Sequence, residues 1–220
     1  MRPHSHYGIS MRTPIALSLV SILGAGLLLA GCGGGTARTD STASAAVSTQ
    51  EQVLAAGAHL DGLNQSLTNF RGAGAGADLK AIYAGFTSNA SAVTKDITDV
   101  SAGASSIEKK ARTQLEEWNK QNATITNADV RAASAKRSGD LRIATDALAA
   151  SNTAFTATGS TYATQINDIK KVLDLDLTLA GVENIKPIIS KAIDSASSLK
   201  GAFADVAKHA KTISDMLASK

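Results

Sequence analysis

Apolar residues recur three and four positions apart through most of the chain, the spacing that places them on one face of an α-helix. The first such stripe is Val53, Ala56, Leu60, Leu63, Leu67 and Phe70. Ser48, with Glu51 three residues on, forms a capping box, so this helix is expected to begin at Ser48 and to stop at the glycine-rich "RGAGAGAD". A second stripe runs from Leu79 through Tyr83, Phe86, Val93, Ile97, Val100, Ala104, Ile107, Ala111, Leu115 and Trp118 to Ile125. At 1.5 Å per residue it would span ~70 Å, deeper than any globular core, so it must lie along other long helices.

"TITNAD" is the next break, with Asn127 expected to cap the third helix. The third stripe holds Val130, Leu141, Leu148, Phe155, Tyr162, Ile166, Ile169 and Leu173. Gly159 lies within "TATGST", among poor helix formers, and a kink or local break is expected there. In "VLDLDLTLAG", Leu173, Leu175, Leu177 and Leu179 alternate with other residues at period two, the pattern of a half-buried strand. The chain offers no second strand to pair with it. Residues 172–180 therefore read as the end of the third helix, with Gly181 as its stop.

The last helix is expected to begin near Asn184, with Pro187 in its first turn, where an amide has no intrahelical partner. Ile189, Ala192, Ala196, Leu199, Phe203, Val206, Ala210, Ile213 and Leu217 then keep an unbroken 4-3 spacing, a coiled-coil seam. The stripes and their short polar breaks imply an all-α fold, an elongated antiparallel bundle of about four long helices with coiled-coil-like packing. Many seam positions are Ala or Ser and aromatic residues make up only 4% of the chain, so the helices should approach closely around a thin core.

Ahead of the stripes the chain has a different grammar. Arg2 and Arg12 precede an uncharged run from Pro14 to Ala30 that ends in small residues, the basic, apolar and cleavage regions of a secretory signal. Met11 offers a second start, with Arg12 as the whole basic region. A transmembrane helix needs ~20 apolar residues, and this run is shorter and broken by Gly24, Gly26 and Gly31. It closes on "LLLAGC", whose Cys32 is the single cysteine of the 220 residues, so no disulfide framework is available.

Leu-Ala-Gly-Cys resembles the lipobox of bacterial lipoproteins. That resemblance implies cleavage before Cys32, a diacylglyceryl group on its sulfur, and Leu29, Ala30 and Gly31 as the recognition residues for the signal peptidase. Two acyl chains meet the requirement for stable anchoring, which one chain does not. "GGGTARTDSTASAAVS" after the cysteine reads as a flexible spacer. The expected organisation is thus a signal peptide over 1–31, a tether over 32–47 and a bundle domain over 48–220.

Charge changes the picture once the signal is removed. Residues 1–31 take Arg2 and Arg12 from the 22 basic residues and nothing from the 19 acidic ones, so the formal charge falls from +3 to +1. That balance carries no electrostatic footprint for nucleic acid and no polybasic membrane patch.

Candidate chemistry is sparse, and no catalytic or metal-binding set emerges. Gly72 to Gly76, "GAGAG", follows a helix rather than the strand that a nucleotide fingerprint requires, and reads as an interhelical turn. Asp205 and His209 sit four apart on one helix face beside Lys208 and Lys211, with no third ligand in sight, which favours a solvated pair. His59 stands alone. Glu116 and Glu117 precede Trp118, but the Glu-x-x-His pairs of a di-iron bundle are missing, and Trp118 itself falls on the second stripe as a core residue. No cofactor is expected.

Short segments along these helices, "GADLKAIY" (Gly76 to Tyr83), "EEW" (Glu116 to Trp118), "ITNADVRAAS" (Ile125 to Ser134) and "IKPIISKAID" (Ile185 to Asp194) followed by Leu199 and Lys200, are similar to a proteobacterial family of helical envelope proteins classed as a domain of unknown function. The chain departs from that family in the longer interval from Ala135 to Asn184. The resemblance implies a long-helix bundle and no catalytic residue.

The resulting expectation is a non-enzymatic lipoprotein of the cell envelope, held by Cys32 and serving as a scaffold, spacer or interaction module for an envelope protein or for itself. Gly33, rather than Asp, after the cysteine resembles the signal for the outer membrane, facing the periplasm. Two other classes stay open: a membrane-acting helical protein that unpacks and inserts, and an enzyme or small-ligand carrier.

Overall fold

The structure, a computed structural model, describes residues 33–218; Leu29, Ala30, Gly31 and Cys32 lie outside the described residues. Four helices follow one another: α1 (Gly33–Arg71), α2 (Leu79–Asn122), α3 (Ala128–Leu175) and α4 (Leu179–Ala218). No strand occurs among the described residues. Helix α1 packs on α2 and α4, α3 packs on the same two, and α2 makes a narrow diagonal contact with α4. Cross-helix pairs run in opposite sequence order: Ser41 meets Lys110 while His59 meets Asp96, and Ser134 meets Trp118 while Asp174 meets Tyr83. The fold is therefore an up-down-up-down antiparallel bundle, all-α as the periodicity predicts.

The seams form the core. On α4 every residue of the predicted 4-3 series from Ile189 to Leu217 is buried. Phe155 on α3 packs at a tilt against Phe203 on α4, 4.8 Å between ring centroids, and Phe70 and Phe86 meet edge-on at 5.9 Å where α1 and α2 converge. Small residues sit where backbones come nearest: a methyl group on Gly103 would fall 2.5 Å from Thr49 Oγ1 of α1.

Six local expectations are corrected. Helix α1 begins at Gly33, not Ser48, so residues 33–47 are helical rather than a flexible tether. The cause is a continuation of the seam in small residues. Thr42, Ala46 and Thr49 are buried at the same 4-3 spacing that leads into Val53. Ser48 and Glu51 are exposed on the opposite side of α1. Thr42 and Thr49 return their hydroxyls to the carbonyls of Arg38 and Ala45 at 3.0 and 2.9 Å, which allows β-branched polar residues to be buried without loss of a hydrogen bond.

Helix α3 runs unbroken through Gly159. The glycine marks a close approach instead of a kink, since a methyl group there would lie 2.6 Å from Ile97 Cγ2 on α2. Val130, predicted on the α3 seam, is 55% exposed, and the first turns of α3 are largely exposed around it. Asn127 does cap α3, accepting from the amides of Asp129 and Val130 at 3.0 and 3.1 Å. Helix α2 stops at Asn122, three residues short of Ile125, and starts where Asp78 accepts from the Ala81 amide.

The leucine-rich segment divides at residues 176–178 rather than at Gly181. Thr178 caps α4: its hydroxyl accepts from the Gly181 amide at 3.1 Å and its carbonyl from the Val182 amide at 2.9 Å. Gly181 is the third residue of α4, and its role is steric, because a methyl group there would come within 2.4 Å of the Asp176 carbonyl oxygen. Leu173 is buried while Leu175 is 87% exposed, so the alternating leucines divide between core and turn and form no strand. Pro187 consequently sits inside α4, not in its first turn. Both Pro187 and Glu183, whose carbonyl loses its helical donor, are exposed, so water can replace the missing amide.

Candidate functional site

An extended concavity lies between α2 and α3, a groove of about 770 Å³. It exists because Ala90, Ser91 and Thr94 on α2 face Ser160, Ala163 and Thr164 on α3, and these short side chains leave a trough between the two rods. Its hydroxyls mostly donate to their own helices: Ser91 to Thr87 at 3.0 Å, Thr94 to Ala90 at 2.9 Å and Thr164 to Ser160 at 2.9 Å. What remains turned outward is acceptor lone pairs.

Charged pairs close the groove at its ends. Lys95 donates to Asp99 on α2, and Lys170 donates to Asp174 at 2.6 Å on α3. The Tyr83 hydroxyl of α2 also donates to Asp174, clasping the two helices near the α3–α4 turn. The hydrogen bond from Lys170, then that from Tyr83, holds the Asp174 carboxyl below the usual carboxylate range. The Tyr83 phenol is raised in turn, by desolvation first and then by its bond to Asp174. The i,i+4 Lys–Asp spacings are legible in the sequence; the link to Tyr83, 91 positions away, is not.

Asp205 and His209 line a second groove, about 400 Å³, between α3 and α4 with Ser151, Phe155 and Ala202. No hydrogen bond or ion pair joins the two among the described residues, and no group of three or more metal-ligating side chains forms among them. His59, solitary in the sequence, is paired: its Nδ1 lies 2.8 Å from Asp96 Oδ2, joining α1 to α2. Its partner is 37 residues distant and carries no local signal.

The glycine-rich turn is the interhelical connection that its position predicts. Within the turn the Gly72 amide donates to Thr68, that of Ala73 to Phe70 and that of Ala77 to Gly74, and Gly76 alone among the described glycines has a left-handed backbone, at φ 87°. Trp118 is half-buried rather than fully in the core. Its indole N–H donates to Ser134 at 2.8 Å and the Arg137 guanidinium lies 5.7 Å from the ring centroid, so the ring pins α2 to α3. Glu117 pairs with Lys120 at 2.9 Å, and Glu116 is exposed. The Tyr83–Asp174, His59–Asp96 and Trp118–Ser134 contacts hold one helix to the next.

No family model, curated protein or solved structure matches the chain.

Proposed function

We propose that the chain is a non-enzymatic lipoprotein of the bacterial cell envelope. In this proposal Leu29, Ala30 and Gly31 direct cleavage, Cys32 carries the diacylglyceryl anchor in the outer membrane facing the periplasm, and the bundle is a scaffold, spacer or protein-interaction module. The observation that carries it is the sequence "LLLAGC" closing a basic-then-apolar run directly ahead of a helical bundle. No described helix is long and apolar enough to cross a membrane. Helix α1 alone is ~60 Å long, so in this proposal the bundle is a rod-like module. Intact mass of the mature N-terminus tests this. A chain starting at Cys32 with an acyl-modified sulfur is expected; a free thiol, or a terminus elsewhere, overturns it.

A second reading, carriage of a small ligand, would use the α2–α3 groove, an open trough of about 770 Å³ lined by Ala90, Ser91 and Thr94 and by Ser160, Ala163 and Thr164. Thermal-shift screening of the bundle against small metabolites would reveal it as a ligand-dependent rise in Tm, which Ala163→Trp, filling the trough, would abolish.

A further inference from the structure

The first turns of α1 are held differently from the rest of the helix. Beyond Val53 its buried line is built on Leu60, Leu63, Leu67 and Phe70, whereas ahead of Val53 the same line holds Thr42, Ala46 and Thr49. Short side chains remove little apolar surface from water, so this stretch adheres weakly. The core beneath it is polar as well. Gln114 on α2, Ser138 and Thr145 on α3 and Ser214 on α4 are all buried toward this end of the bundle. Gln114 donates to Thr39 Oγ1 at 3.0 Å, but its own Oε1 is buried with no partner among the described residues. Water would satisfy that oxygen once the stretch moved away.

A sequence motif supplies the boundary. Ser48 and Glu51 have the spacing of a capping box, yet both are exposed within an unbroken helix, where a cap is idle. With residues 33–47 unwound, Ser48 becomes the N-cap of what remains: its hydroxyl accepts from the Glu51 amide, and the Glu51 carboxylate accepts from the Ser48 amide. Glu51 then also stands in the first turn of a helix, where a negative charge is favoured. The motif stabilises the shortened helix alone.

We propose that residues 33–47 are a strap, which leaves the bundle as a unit while α1 re-caps at Ser48. The described structure is the closed form, and the open form is its minor partner. Closed, the strap is ~22 Å of rod; open, it extends to at most ~50 Å of chain. Where Cys32 is anchored as proposed above, opening exchanges rod for reach, and the bundle can engage a target farther from its membrane. That consequence rests on the anchor; the opening does not.

The test is hydrogen–deuterium exchange of the full chain in detergent, resolved to single residues by electron-transfer fragmentation. Amides of residues 37–47 are expected to exchange at least ~10-fold faster than those of 53–70, at one common rate, with the step at Ser48. Ser48→Ala should slow the strap several-fold more than Ser44→Ala, which adds the same helix propensity but removes no cap. Ser48→Asp, which keeps the cap, should leave exchange fast. Ala46→Asp should bring the strap to the rate of an unfolded chain while residues 53–70 keep their protection. Equal rates in the two stretches, a rate that climbs turn by turn toward the N-terminus, or slowing by Ser48→Asp overturns the strap. So do equal effects of Ser48→Ala and Ser44→Ala, or loss of protection over 53–70 in Ala46→Asp. A free thiol at Cys32 would reject the anchor and the reach alone, because the exchange pattern is read whether or not the sulfur is acylated.

Discussion

Gly159 of α3 lies against Ile97 of α2 so closely that one added methyl group would come within 2.6 Å of Ile97 Cγ2. Alanine raises helix propensity by ~1 kcal/mol over glycine, but forcing a methyl into a packed contact costs ~1–3 kcal/mol. Gly159→Ala is therefore expected to lower stability in urea unfolding. Gly201, on α4, has nothing within 4 Å of the same added methyl. Gly201→Ala should raise stability by ~0.4–1 kcal/mol, so the two substitutions should move the midpoint in opposite directions.

Ala46 is fully buried in the segment that composition alone marks as a tether. Ala46→Asp would place a carboxylate in the α1 seam and is expected to cost at least ~2 kcal/mol, measured by chemical unfolding. Ser44→Asp, two residues away on the exposed side, should leave the unfolding midpoint of the isolated bundle nearly unchanged.

Tyr162 is 1% exposed, its hydroxyl has no partner, and burial alone raises its phenol well above the ordinary value of 10.0. Ionisation thus favours the unfolded chain, whose phenol keeps the ordinary value. Stability is unaffected by this group below about pH 10 and falls as pH rises beyond it. In an alkaline titration followed by phenolate absorbance, one tyrosine should ionise only with unfolding. Tyr162→Phe should be neutral or stabilising, by up to ~1 kcal/mol, because it removes an unsatisfied buried hydroxyl.

Asp174 accepts from Lys170 and from Tyr83, and both lower its pKa. The charged carboxylate thus favours the folded state at pH above the ordinary aspartate value, and this contribution is lost as pH falls through the lowered pKa. Tyr83→Phe is expected to return the carboxyl part of the way toward its ordinary value, read by NMR titration of the Asp174 side chain.

The helices are legible in the sequence where large apolar residues mark the seam. Ile189 to Leu217 shows this best, since one unbroken series of Ile, Leu, Phe and Val among its alanines allows a single helical face. Residues 33–47 are illegible for the opposite reason: Thr42, Ala46 and Thr49 continue the spacing, but Ala and Thr are equally at home in spacers. Gly159 and Gly181 mislead because propensity describes a residue's own helix, while their role is set by Ile97 and by the Asp176 carbonyl. The His59–Asp96 and Tyr83–Asp174 links depend on register between distant segments, which periodicity leaves free. Cys32 and its flanking residues are read from local grammar and owe nothing to the bundle.

The pairing of α1 with α4 has a kinetic consequence. Lys200 and Asp61 meet across 139 positions of chain, so the flank of the first helix stays uncovered until the last has emerged. Whether leaving a ribosome or a translocation pore, the chain would carry α1, α2 and α3 as an open trough until one closing stave, α4, emerges.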